Sequence, residues 1–193
     1  MKKLSIASAF SLVELLVVVS TIGIISALAV PAYKTYTYKT MMNKAYMALR
    51  TYGPVFRSSY GLTGTMPASI VAPPGLSGNP ATVAAATTVN LTDQTYFTSF
   101  RYNRSIGSNY SASYVRYQVN NSGFGISISD IFLISVLVVA RNNGTLSTLC
   151  GVGTTPSGSG VDYTRILPLL PSDCQLTNLD LNNTTVLQNY QIN

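Results

Sequence analysis

The longest apolar stretch of the chain lies close to its start. Residues 15–30 carry no charge, and the only polar side chains among them are Ser20, Thr21 and Ser26. This run is slightly short of the roughly 20 residues that span hydrocarbon, but residues 10–32 give about 23, enough if Glu14 is tolerated. Beyond Pro31 the pattern turns from uniformly apolar to periodic. Val30, Tyr33, Thr37, Met41, Ala45, Ala48, Leu49 and Tyr52 recur mostly at steps of three and four, while Lys34, Lys39, Thr40, Asn43 and Arg50 fall on other faces. That spacing predicts an amphipathic helix, and Gly53-Pro54 is expected to end it. A helix over residues 10–52 would run roughly 65 Å at 1.5 Å per residue.

The next sixty or so residues, 54–113, are rich in Gly, Pro, Ser, Thr, Ala and Asn, with Pro73-Pro74-Gly75 and Gly78-Asn79-Pro80 marking loop. So long an irregular segment is uncommon in a compact domain, so a short strand or helix is expected inside it. Tyr96, Phe97, Phe100 and Tyr102 form an aromatic cluster suited to covering a sheet or helix face. Period-two alternation follows. Val115, Tyr117 and Val119 share one face, Asn120-Asn121-Ser122-Gly123 reads as a turn, and Phe124, Ile126 and Ile128 alternate again. Residues 131–140 are apolar except Ser135 and stop at Arg141-Asn142-Asn143-Gly144, a hairpin signal, with residues 145–149 expected to return as the next strand. The whole predicts an α+β fold: a long N-terminal helix, apolar over residues 10–32 and amphipathic over 33–53, packed on an antiparallel meander over 114–149.

Composition narrows the chemistry. The 193 residues include no His, and charged residues make up only 9%, against about 25% in a typical soluble domain. Without His, no serine–histidine or cysteine–histidine catalytic set exists, and two cysteines are too few for a four-thiolate zinc site. No enzyme activity and no cofactor is expected. Net charge is +6, and every charge between residues 34 and 57 is positive (Lys34, Lys39, Lys44, Arg50, Arg57). Spaced cations of this kind read first as a solvated helix face; Arg101, Arg104 and Arg116 are the one candidate cluster for a nucleic-acid contact on the head.

The start of the chain discriminates further. A cleaved secretory signal needs small residues after its apolar core, yet Ala7-Ser8-Ala9 precedes the core and Val30-Pro31-Ala32-Tyr33 follows it. A plain anchor has no use for Glu14, since a carboxylate at the bilayer centre costs roughly 2.5–3.5 kcal/mol and marks a functional residue. Instead, a short leader with Lys2 and Lys3, a small residue at Ala9, then Phe10-Ser11-Leu12-Val13-Glu14 running into Leu15-Leu16-Val17-Val18-Val19, resembles the start of type IV pilins. Gly23, Pro31 and Tyr33 also fall where that family carries Gly, Pro and an aromatic residue. The likeness covers about residues 2–36. It departs at Ala9, where the family usually has Gly.

The resemblance implies a leader (residues 1–9) removed between Ala9 and Phe10 by a prepilin peptidase that also methylates the new Phe10 amine. It implies that Glu14 contacts the Phe10 amine of a neighbouring subunit. Gly23 and Pro31 both weaken a helix locally and read equally as residues that membrane helices tolerate and as points where the stretch bends or melts when packed in a fibre. The leader would be cytoplasmic and the head, residues 54–193, periplasmic before assembly and extracellular after it. Cys150 and Cys174, in an exported chain, are expected to form one disulfide closing the loop 150–174, as is common in pilins. A tail over residues 175–193 would add an edge strand or pack over that loop. Asp162, Asp173 and Asp180 are not spaced as a calcium loop, so no metal site is expected. Expected partners are copies of the chain and other pilins, the prepilin peptidase, the inner-membrane assembly machinery and the membrane itself. The function implied is that of a pilus subunit serving adhesion, motility or DNA uptake. The alternatives are a minor pilin, DNA-binding in one version, or a type II secretion pseudopilin. With residues 1–9 removed, the 12 basic residues become 10 and the net charge falls to +4 (10 minus 6), modest for a DNA binder, and nucleic acid stays an alternative without support.

Overall fold

The computed structural model describes residues 11–106, 110–126, 131–141, 144–155 and 163–177. The chain divides into two units, one ending at Tyr38 and the other beginning at Lys39. Helix α1 spans Leu12–Arg50. Over residues 15–30 it carries no charge on any side, and every Leu, Ile and Val between positions 12 and 30 is exposed. A helix of that composition is one whose surface is normally covered by lipid or by other protein. It is the one helix among the described residues long and apolar enough to cross a membrane.

In the second unit the helical stripe becomes selective. Met42, Ala45, Tyr46 and Leu49, at spacings of three and four, are buried, while Met41 and Ala48 lie half-buried at its margins. Val30 and Tyr33, expected in the same stripe, are exposed. The stripe passes into α2 (Tyr52–Thr63) through Tyr52 and Phe56. The expected end of the long helix before Gly53-Pro54 lies two residues past the observed one, but a second helix rather than a loop follows it. α1 ends at Arg50, and Pro54 sits in the first turn of α2, where backbone N–H groups have no intrahelical acceptor and proline loses nothing. α2 stops at Gly64, left-handed at φ 69°, whose N–H donates to Tyr60 O at 2.8 Å.

Residues 54–113 hold more regular structure than the sequence predicts. Besides α2 they form a two-stranded ribbon, β1 (Ser69–Val71) with β2 (Thr82–Ala84), and contribute β3 (Thr88–Asn90), β4 (Phe97–Ile106) and the start of β5 (Tyr110–Val119). The three-residue strands escape periodicity because each buries a single side chain, Ile70 opposite Val83. Strands β6 (Ile131–Arg141) and β7 (Leu146–Thr155) complete a five-stranded antiparallel sheet in the order β3-β4-β5-β6-β7. The chain is thus an α+β protein with a sheet of sequential hairpins. Residues 124–126 depart from the expected strand. Asn121 to Gly125 form a turn, and the Phe124 N–H points at the Asn120 and Asn121 carbonyls. The Phe124 ring packs 5.2 Å from Tyr96 and 5.6 Å from Phe97.

One sheet face packs on the helices. Phe56 lies 5.6 Å from Tyr102, Tyr52 lies 5.9 Å from Phe100, and Phe100 lies 5.4 Å from Tyr117. The other face is covered too. Ala112, Tyr114, Leu137 and Val139 form a buried cluster with Leu149 and Leu176 against it. This explains why residues 132–140 read as one apolar run: β6 is buried on both faces and paired on both edges. Cys174 meets Cys150 on the helix-facing side of β7, and two residues later Leu176 is on the other side, so the chain passes round the edge of β7 that β6 does not pair. There the Val152 N–H donates to Leu176 O at 2.8 Å. That crossing needs a glycine, because a Cβ on Gly151 would lie 2.3 Å from Leu176 O. Gly151→Ala is expected to push the crossing segment off β7 and to destabilise the head by about 1–3 kcal/mol, read as a lower urea midpoint with an unchanged slope.

Candidate assembly site

Ser11 and Glu14 close on each other at the start of α1. Glu14 Oε2 accepts the Ser11 N–H at 3.2 Å, and Ser11 Oγ accepts the Val13 N–H at 3.3 Å. This is a capping box, a hydroxyl at the cap and a carboxylate three residues on, each satisfying a backbone donor. The carboxylate also sits at the positive end of the helix dipole. The sequence reading gives Glu14 only an inter-subunit role, although Ser11-x-x-Glu14 ahead of an apolar run spells this cap as well. Ala9 and Phe10, the expected cleavage pair and methylation site, lie outside the described residues.

Gly23 and Pro31 both fall inside unbroken helix. Pro31 offers no N–H to the Ala27 carbonyl, one turn earlier. The nearby hydroxyls turn inward onto helix carbonyls: Thr21 Oγ1 donates to Val18 O at 2.8 Å, Thr35 Oγ1 to Pro31 O at 3.1 Å and Thr37 Oγ1 to Tyr33 O at 3.0 Å. Polar groups satisfied within their own helix are those an apolar environment tolerates. A Cβ at Gly23 would meet nothing within 4 Å, so the packing of this chain alone does not require glycine there.

The magnitudes favour withdrawing this helix from water. Burying a Leu, Ile or Val side chain contributes about 1.5–3 kcal/mol. The twelve exposed between positions 12 and 30 thus offer on the order of 20 kcal/mol. A single carboxylate opposes this by roughly 2.5–3.5 kcal/mol at most depth. The helix can therefore carry Glu14 into an apolar environment, where any partner for that charge is worth several kcal/mol.

In the head, Cys150 of β7 and Cys174 of a 3-10 turn (Ser172–Cys174) form a disulfide with Cα atoms 4.5 Å apart, and both residues are buried. Beside it, Asp173 accepts hydrogen bonds from Ser172 Oγ at 3.0 Å and from the Tyr46 hydroxyl at 3.2 Å, with the Arg50 guanidinium 4.0 Å away. The Ser172 and Tyr46 hydrogen bonds, a backbone N–H and then Arg50 hold the Asp173 carboxyl below its usual range. Asp173 is therefore engaged by side chains, while Asp162 and Asp180 lie outside the described residues. Burial pushes the Tyr52 and Tyr117 hydroxyls up to about 12, so both stay neutral phenols in the core.

The basic residues do not gather into one surface. Arg57 donates to Thr148 Oγ1 at 2.5 Å. Of the three arginines expected to cluster, Arg104 lies on the helix-facing side with Phe100 and Tyr102 and donates to Met66 O at 3.2 Å. Arg101 and Arg116 stand opposite each other on the other side of the sheet. The expected cluster is therefore split between the two faces, unlike a continuous phosphate-tracking patch. Among the described residues no group of three His, Cys, Asp or Glu side chains is placed to hold a metal. What this arrangement offers is an exposed apolar helix of a kind normally covered by lipid or by other protein. No protein-family model and no curated protein matches the chain.

Proposed function

We propose that the chain is a structural subunit of a type IV pilus, polymerising through α1 into a surface fibre. The observation that carries this reading is the junction of Ala9-Phe10-Ser11-Leu12-Val13-Glu14 to a helix whose apolar side chains are exposed throughout residues 12–30. Before assembly α1 lies in the inner membrane with the head in the periplasm. A prepilin peptidase removes residues 1–9 and methylates Phe10. In the fibre the helices pack together, the Glu14 carboxylate meets the Phe10 amine of a neighbour, and the heads form the outer surface. Pairing the two charges in an apolar core sets register, because a subunit one step out of place leaves both unpaired. Gly23 and Pro31 are the points at which α1 gives way on packing. The buried Cys150–Cys174 disulfide supports passage through an oxidising compartment, and the carboxyl-terminal position of the pair is the feature that favours a pilin over a secretion pseudopilin.

Expression of the full chain with and without a prepilin peptidase tests the reading. The expected result is a product starting at Phe10 and carrying one added methyl, formed only when the peptidase is present. A chain that keeps residues 1–9 in the presence of active peptidase would refute it.

A further inference from the structure

Residues 12–32 of α1 extend about 31 Å at 1.5 Å per residue, close to the roughly 30 Å of hydrocarbon in a bilayer. The first side chains past that length are Tyr33, Lys34, Thr35 and Tyr36. They fall within about 6 Å of its end along the axis, which matches the depth of one headgroup layer. Tyr33 is 71% exposed and Tyr36 69%. All of residues 31–36 are exposed, and they make more than a full turn, so the helix is exposed on every side there. From Met42 onward the same helix buries one stripe only. The Thr35 hydroxyl donates to the Pro31 carbonyl at 3.1 Å, so the polar groups this turn presents outward are phenols and an ammonium. The charge along this part of the chain has one sign. Between Glu14 and Asp93 there is no acid, and the first cation after the apolar run is Lys34.

We propose that Tyr33, Lys34 and Tyr36 form a collar that binds the headgroups of anionic phospholipids, with the Lys34 ammonium on a phosphate and the two rings at headgroup depth. The inference rests on the membrane step of the function proposed above. Three observations favour lipid over a second copy of the chain. The turn is exposed all round, and a lipid layer surrounds a helix where a docked protein covers one side. The distance places it at the boundary between hydrocarbon and water, where the amphipathic rings of Tyr are at home. A lysine there lays its apolar stem along the acyl chains and keeps its charge among the phosphates. Lys and Arg usually concentrate on the cytoplasmic flank of a span. With the head in the periplasm Lys34 stands on the opposite flank, and attraction to anionic headgroups accounts for a cation at that end.

The chain has no Trp, so Tyr33→Trp puts a single fluorophore into the collar, in a residue type that also favours the interface. The full chain with that substitution is reconstituted into phosphatidylcholine vesicles. Lipid brominated near the headgroup end of its acyl chain is expected to quench the Trp more than lipid brominated near the methyl end. With bromine near the headgroup end, phosphatidylglycerol should compete for the site about fivefold better than phosphatidylcholine, the preference one lysine at the surface supplies, and less so as salt is raised. Adding Lys34→Gln should bring the two lipids level. Adding Lys44→Gln instead should leave the preference in place, because Lys44 lies about 15 Å further along the axis. An inserted chain that binds both lipids equally, or one whose preference survives Lys34→Gln, would overturn the lipid contact and leave the membrane reading standing. A Trp quenched by neither position of bromine in dilute vesicles would overturn both. A Trp that loses contact with both lipids as the ratio of protein to lipid rises would give this turn to a second copy and overturn the collar alone.

Discussion

Glu14→Gln is expected to remove the chain from fibres while leaving α1 intact and in the membrane. Glutamine keeps the cap, because its amide oxygen accepts the Ser11 N–H as the carboxylate does at 3.2 Å. What it loses is the charge. The neighbour's Phe10 ammonium would then be buried in the fibre core without a counter-ion. Leaving one member of a buried pair alone costs about 3–5 kcal/mol, which is roughly two to four orders of magnitude in the equilibrium for adding a subunit. The check is the ratio of fibre-borne to membrane-borne chain in cells that express only the variant. A fall of a hundredfold or more at unchanged membrane level is expected. Glu14→Gln chains that enter fibres at the normal level would show that Glu14 serves α1 only as a cap. The same variant therefore separates the local role visible in this chain from the inter-subunit role assigned to it.

Loss of the Cys150–Cys174 disulfide is the second large effect. The bond closes a loop with a sequence separation of 24, and the chain-entropy treatment gives about 3.5 kcal/mol for a loop of that size. For a domain of this size that corresponds to a Tm roughly 7–14 °C lower. The bond also anchors the point where the chain turns round the edge of β7, so its removal frees the segment that places Leu176 O against the Val152 N–H. The double variant Cys150→Ser with Cys174→Ser, in detergent, should show the fall in Tm. Adding dithiothreitol should lower the Tm of the unmodified chain to the same value and leave the variant unmoved. Equal Tm values with and without reductant would contradict this account of the bond.

Much of this architecture was legible in the residues, for reasons that differ by element. The apolar run at 15–30 announces α1 because no other length and composition fits it, and Arg141-Asn142-Asn143-Gly144 marks a chain reversal after β6. The Val115, Tyr117 and Val119 face was readable because those side chains alternate with others. That Tyr114 and Arg116 on the opposite face are also buried was not, since it depends on what covers that face. Gly53-Pro54 marks the end of α1 to within a few residues but hides α2, because glycine and proline end a helix or begin one with the same letters, and the burial of Phe56 shows that a second helix follows. The Ser11–Glu14 cap was within reach of the sequence and was hidden by the stronger family signature over the same residues. The arginine arrangement was out of reach. Positions 101, 104 and 116 look like one group along the chain, and only the register of β4 against β5 shows that 101 faces 116 while 104 points to the other side.

Mass spectrometry of fibres sheared from cells that make this chain tests its assignment as a fibre subunit most directly. The account predicts that the chain is recovered in the fibre fraction, begins at Phe10 with one added methyl, and carries an oxidised Cys150–Cys174 pair. A chain absent from sheared fibres and found in the envelope with residues 1–9 still attached would contradict it.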